Sequence, residues 1–237
     1  SSMRDSDGTI RIADFYDDVK PPSAAEKQAL SQVPNDDAEL KRELGLAWNE
    51  GGNRSLAELI TLPALNLRGI QAGHVGAATT NAIPTEAVAS IDFRLVPDQT
   101  PERVRALVEN HITRQGFYVV HEKPSLNLRL AHPKIVLLDW GVGYPAARTP
   151  MDLPAAGALV KVIQKALGEP IVKMPTLGGS VPMYLFVERL KAPVIGLPIA
   201  NHDNNQHSAN ENLRLQNLWD GIDVFAGIIS GLGIEWR

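Results

Sequence analysis

The run His207-Ser208-Ala209-Asn210-Glu211 holds the sharpest chemical possibility in this chain. Ser208 and Glu211 have capping-box spacing, in which each side chain satisfies the other's free backbone N–H, so a long helix is expected to open there. His207 would then stand just before the helix start, where the positive end of the helix dipole disfavours imidazolium. A neutral imidazole is the form that binds a metal ion. The ordinary alternative, a solvent-facing loop histidine, is the commoner fate of a single His. His202 and Asp203 lie in the same polar loop, but three ligands on a loop with no rigid element beneath them make a poor cage. Gly178-Gly179-Ser180 reads as a strand-to-helix junction, with Ser180 at the cap. Glycines there would let a ligand approach the backbone, and the free N–H groups of a helix start would attract a carboxylate. It lacks the lysine and spacing of a phosphate loop. Asn81, in Thr80-Asn81-Ala82-Ile83-Pro84, and Arg94, in Ile91-Asp92-Phe93-Arg94, complete the set. An arginine fork suits bidentate clamping of a carboxylate; a surface ion pair is its commoner use.

The elements that must position these residues fall into two groups. Ser23 with Glu26 predicts a capped helix, and Asp36 to Leu46 a second, polar one; neither has a strong apolar stripe, so both are expected on a surface. Ile10 to Ala13 reads as a short strand. Ala64 to Ile70 and Val88 to Val96 alternate at period two, as strands do. Thr100-Pro101-Glu102 opens a helix with Val104, Leu107, Val108 and Ile112 on one stripe and a stop near Gly116. Phe117 to Val120 is a further strand. Strands with a backing helix make an α+β layer, and a boundary is expected near residue 148. Beyond it come a helix over Leu153 to Leu167, a strand over Pro170 to Met174, a helix over Val181 to Leu190, a strand over Pro193 to Pro198 and a helix over Ala209 to Leu232. The last carries a stripe of Leu218, Ile222, Phe225, Ile229 and Leu232. That alternation is the grammar of an α/β layer with parallel strands.

The chain has 237 residues, 44% of them hydrophobic and 21% charged, an ordinary balance for a globular protein. A net charge of -4 with interspersed signs argues against a nucleic-acid partner. No apolar run approaches the roughly 20 residues that cross a bilayer, so no membrane partner is expected. There is no cysteine, which excludes thiolate metal sites, disulfides and cysteine nucleophiles. Such a chain suits the cytoplasm and the outside equally. The first residues show no basic-then-apolar pattern, and a cytoplasmic location is the expectation.

Taken in order, Leu65-Asn66-Leu67-Arg68-Gly69-Ile70-Gln71-Ala72-Gly73, Asn81-Ala82-Ile83-Pro84 and Ile91-Asp92-Phe93-Arg94-Leu95-Val96-Pro97 resemble the lid, or dimerisation, domain of the metallopeptidase family of carnosinases, aminoacylases and succinyl-diaminopimelate desuccinylases. Asp7-Gly8-Thr9-Ile10 with Phe15-Tyr16-Asp17-Asp18-Val19 resembles the carnosinase-like dipeptidase branch. Thr176 to Pro182 and His207 to Glu211 match the family's two late motifs. The resemblance implies a ferredoxin-like lid over residues 1–148 and the C-terminal part of an α/β zinc-peptidase catalytic domain over 149–237. It implies two divalent metal ions, zinc first and manganese or cobalt next, with His207 a ligand to one of them. It implies substrate contacts from Asn81 and Arg94, often across a homodimer formed through the lid, and from Gly178, Gly179 and Ser180 at the substrate's carboxylate end. The substrate would be a dipeptide or, in an amidohydrolase of the same family, an N-acyl or N-carbamoyl amino acid. A non-catalytic dimerisation module is the reading of another class.

The departures from the family pattern set limits. Its early His-x-Asp motif, bridging Asp and Glu-Glu pair are absent, as is the lid's His-Ser-Gly. Tyr144 stands near where carnosinase-like members often carry a substrate-contacting histidine. The chain is therefore expected to be a C-terminal fragment with no catalytic residue of its own. It should be metal-free and inactive alone, because catalytic zinc takes about three protein ligands. Without its other half, residues 149–237 should leave strand edges and apolar helix faces uncovered, leading to association or poor solubility unless another chain covers them.

Overall fold

A computed structural model describes residues 2–236. By its internal contacts the chain divides into two compact units, residues 1–21 with 35–147 and residues 22–34 with 148–237. Both the mixed α/β class and most of the expected helices are found.

In the first unit, α2 (Asp37–Glu43) and the short α3 (Leu56–Leu59) precede strand β1 (Ala64–Gln71), which pairs antiparallel with β2 (Val88–Arg94). The register places Leu65 opposite Phe93 and Leu67 opposite Ile91, then slips by one residue so that Gly69 faces Ser90 and Ile70 faces Ala89. Arg68 is the extra residue of this bulge, and it keeps Leu65, Leu67 and Ile70 on one face of the ribbon. Helix α4 (Pro101–Arg114) follows, with Pro at its start and Val104, Val108 and Ile112 buried, as the stripe predicts. Thr100 caps it, its hydroxyl accepting the Arg103 N–H at 3.3 Å. Replacing Thr100 with Ala should lower stability by about 1 kcal/mol in urea unfolding, with the helix retained.

Strand β3 (Tyr118–Val120) pairs in parallel with β4 (Ile135–Leu137), separated from it in sequence by α5 (Leu126–Ala131). The two ribbons are hydrogen-bonded separately, β1 to β2 and β3 to β4. Leu65 and the buried α4 residues form one core with Ile10, Ile12 and Phe15; Phe93, Val119 and Val136 pack against it. Ile10 makes only an isolated bridge to Arg4, so the expected strand at 10–13 is not formed. Buried Gln99 fastens this segment, donating from Nε2 to the Phe15 carbonyl at 2.9 Å.

The second unit holds α1 (Ala24–Ser31), α6 (Pro154–Leu167), α7 (Tyr184–Leu190) and α8 (Leu215–Glu235). The expected capping box of α1 is complete: Ser23 Oγ accepts the Glu26 N–H, and Glu26 Oε2 accepts the Ser23 N–H at 2.7 Å. α1 is not merely a surface helix, since Glu26 is buried and pairs with Arg148 at 3.1 Å. α6 ends at Gly168, which takes the left-handed conformation at φ 74°. α8 packs on α6 through small residues. A Cβ added at Gly227 would lie 3.0 Å from Ala166 Cβ, and one at Gly231 would touch Val162.

Two expectations for this unit are corrected, the strands and the start of the last helix. No strand forms over 170–174 or 193–198 among the described residues. Parallel strands need neighbours to take their N–H and C=O groups. Here the Thr149 hydroxyl does so at Val194, accepting its N–H at 3.0 Å and donating to its carbonyl at 2.6 Å. α8 begins at Leu215, not at Ala209. The buried face of α8 is Gly221 and Val224, whereas Ile222, Phe225 and Ile229 of the predicted stripe are exposed.

Candidate functional site

His207 lies in a turn eight residues before α8, exposed and in the left-handed conformation at φ 64°. The Ser208–Glu211 spacing opens no helix. Three left-handed residues, Asn205, His207 and Asn210, turn the chain back instead, and the Asn212 N–H reaches the Asn204 carbonyl at 2.9 Å. The ring therefore does not stand at a helix's first turn, where a dipole would act on it.

Buried Asn201 stands at the centre of this loop. Its Nδ2 donates to Asp203 Oδ1 at 2.7 Å and to Asn212 Oδ1 at 3.1 Å, and its Oδ1 accepts the Arg214 N–H at 3.0 Å. The Arg214 guanidinium donates to Asp203 Oδ2 at 2.7 Å. Both carboxylate oxygens of Asp203 are thus engaged. Its carboxyl is held below the usual range, first by the Asn201 hydrogen bond and less by the charges of Arg214 and His202. Asn201 escaped the sequence reading. Its position at the end of an apolar run hints at a turn, but partners eleven and thirteen residues away leave no local signature.

Gly178, Gly179 and Ser180 are exposed and form a bend rather than a helix start. α7 begins at Tyr184 with Met183 at its cap and no side-chain cap bond, so the expected role of Ser180 as cap is not met. A Cβ at Gly179 would meet nothing within 4 Å, and its backbone is not left-handed. Nothing within the chain demands a glycine there.

Arg94 and Asn81 belong to the first unit. Arg94 ends β2 opposite Ala64, and its Nε pairs with Asp92 at 2.5 Å on the same ribbon face. Asn81 is exposed in the connection at the ribbon's other end. A concavity of about 330 Å³ in this unit is lined by Ser6, Asp7, Trp48, Asn49 and Gly52, of which only Asp7 belongs to a motif quoted from the sequence.

Two divalent ions would need a donor set that these residues do not supply. Among the described residues no group of three or more His, Asp or Glu side chains could hold a metal ion. One exposed imidazole does not fit a catalytic centre, and no chemical step is routed through a metal here. No helix among the described residues is long and apolar enough to cross a membrane.

Residues 23–117 match the model of the peptidase dimerisation domain of M20 peptidases. The chain is 27% identical over 236 residues to a Cys-Gly metallodipeptidase of Candida albicans, covering 98% of this chain and 46% of the relative. It is 25% identical to the Beta-Ala-His dipeptidase of Rattus norvegicus, covering 95% and 44%. It superposes on an M20 family metallo-carboxypeptidase from Sulfolobus solfataricus with a TM-score of 0.80 and 27% identity, over 99% of this chain and 51% of that one. The chain thus spans about half the length of the relatives it matches.

Proposed function

We infer that this chain, a relative of the M20 metallopeptidases carrying their dimerisation domain, serves metal-dependent hydrolysis of the peptide or amide bond of a dipeptide-like substrate. The observation that carries this reading is a match running along nearly the whole chain to metallodipeptidases. In this reading His207 is one ligand of one ion, zinc by preference, and the remaining ligands and the general base come from polypeptide other than these 237 residues. Gly178, Gly179 and Ser180 meet the carboxylate end of the substrate. The open space around Gly179 supports this, since a glycine that packing does not require suits the close approach of a ligand. Asn81 and Arg94 contact substrate from the lid, in a homodimer formed through it. Arg94 would exchange or share its Asp92 partner to do so.

Titration with zinc during an assay of dipeptide hydrolysis tests the reading. The chain alone should give no turnover above the rate of zinc in buffer. Turnover that disappears on His207→Ala would show that the site is complete here and would overturn the division of ligands.

A non-catalytic dimerisation module is the second reading, favoured by the dimerisation-domain match and by the lack of a metal-holding cluster among the described residues. Sedimentation together with metal analysis, in the presence of the polypeptide that the first reading calls for, separates the two. Bound metal supports the hydrolase, and a metal-free dimer supports the module.

A further inference from the structure

We propose that Asn201 is the positioning residue that fixes the loop presenting His207, an inference that rests on the reading of that loop as part of the hydrolase site. The loop from residue 202 to 213 contains no helix or strand, and nearly all of it is exposed. Yet it holds three non-glycine residues in the left-handed conformation, and His207 is the only one of them that is not Asn, the type that tolerates it best. Such conformations persist only where the surroundings over-determine them.

One buried side chain stands at the centre of that over-determination. Asn201 is 6% exposed and makes three hydrogen bonds, one near the loop's start at Asp203 and two at its end, at Asn212 and the Arg214 N–H. The last two close the loop across eleven and thirteen residues, and the first holds the carboxylate that pairs with Arg214. Two further bonds close the loop, the Asn212 N–H to the Asn204 carbonyl at 2.9 Å and the Arg214 guanidinium to Asp203 Oδ2 at 2.7 Å, and each involves a residue that Asn201 itself holds. The rest are local: Ser208 N–H to the Asn205 carbonyl at 2.9 Å, Gln206 N–H to Asn204 Oδ1 at 3.1 Å and Asn212 Nδ2 to the Asn210 carbonyl at 3.1 Å. The base is anchored independently by Asn217, which donates to the Ile199 carbonyl at 2.9 Å. Removing the Asn201 amide should therefore free the loop without unseating α8.

Hydrogen exchange of the whole chain, read residue by residue by NMR, tests this without any metal. In Asn201→Ala and in Asn201→Asp, protection of the Ser208 and Asn212 amides should fall at least about tenfold while α6 and α8 keep theirs. The His207 ring resonances should move towards those of an unstructured histidine. Asp203→Asn keeps an oxygen for the Asn201 amide and leaves its bonds to Asn212 and Arg214, so it should lose distinctly less protection at both amides than either Asn201 variant. Unchanged protection in Asn201→Ala, an equal loss throughout α6 and α8, or as large a loss in Asp203→Asn would each overturn the proposal. Should Asn201→Ala fail to fold, Asn201→Asp against Asp203→Asn decides. Loss of the hydrolase reading in the zinc assay would leave the exchange result standing, so the two failures are distinguishable.

Discussion

Replacing Glu26 with Ala is expected to destabilise the second unit by about 3–5 kcal/mol, the cost of breaking a buried ion pair and leaving one charge uncompensated. The side chains of Arg148 and Glu26 are only 14% and 6% exposed, and they join residues 122 positions apart in sequence (148 less 26). Glu26 serves two masters: Oε1 meets Arg148 while Oε2 accepts the Ser23 N–H that completes the α1 cap. Glu26→Gln should cost less, because an amide oxygen can still take the Ser23 N–H. Urea unfolding measures both variants, and proteolysis within residues 22–34 should appear in Glu26→Ala first. A loss below about 1 kcal/mol would class the pair with exposed salt bridges and refute the argument.

Self-association should be the second large effect. Trp219, Ile222, Phe225 and Ile229 recur at helical spacing on α8 and are 54%, 51%, 46% and 84% exposed. An apolar stripe of this kind on a soluble helix is buried in the working protein or drives association. At micromolar concentration the chain should form species larger than a dimer and bind a dye such as ANS. Phe225→Glu combined with Ile229→Lys should abolish both behaviours with the helical circular dichroism unchanged, since neither side chain lies on the face turned to α6. A chain that stays at or below a dimer and binds no dye would sink this expectation.

The same helix shows where sequence reasoning reaches and where it stops. α4 was legible from end to end, because Thr100, Pro101 and the apolar stripe are local signals that all agree. α1 was legible for the same reason, through Ser23 and Glu26. α8 was legible only in part. The Ser208–Glu211 spacing predicts its start at Ala209, whereas Asn201 and three left-handed residues hold the chain in a loop up to Arg214. Its apolar stripe is legible, but its packing face is not, because close approach of two helices is set by the smallest residues, here Gly227 and Gly231 against Ala166 and Val162. Hydropathy ranks side chains and says nothing of where none is needed. Of the candidate site, the residues were legible through the order of their motifs. Their settings were not: the Asp92 partner of Arg94 and the open bend at Gly179 depend on the folded backbone.

The bulge at Arg68 leaves the β1–β2 ribbon with one amino acid more than its pairing uses. Deleting Arg68 would bring Gly69 opposite Ser90 with no slip, and every apolar side chain of β1 would still point the way it does now. Homologues can therefore differ in length by one at this point without any rearrangement. Across it, strict odd-even counting will assign Ile70 to the wrong side.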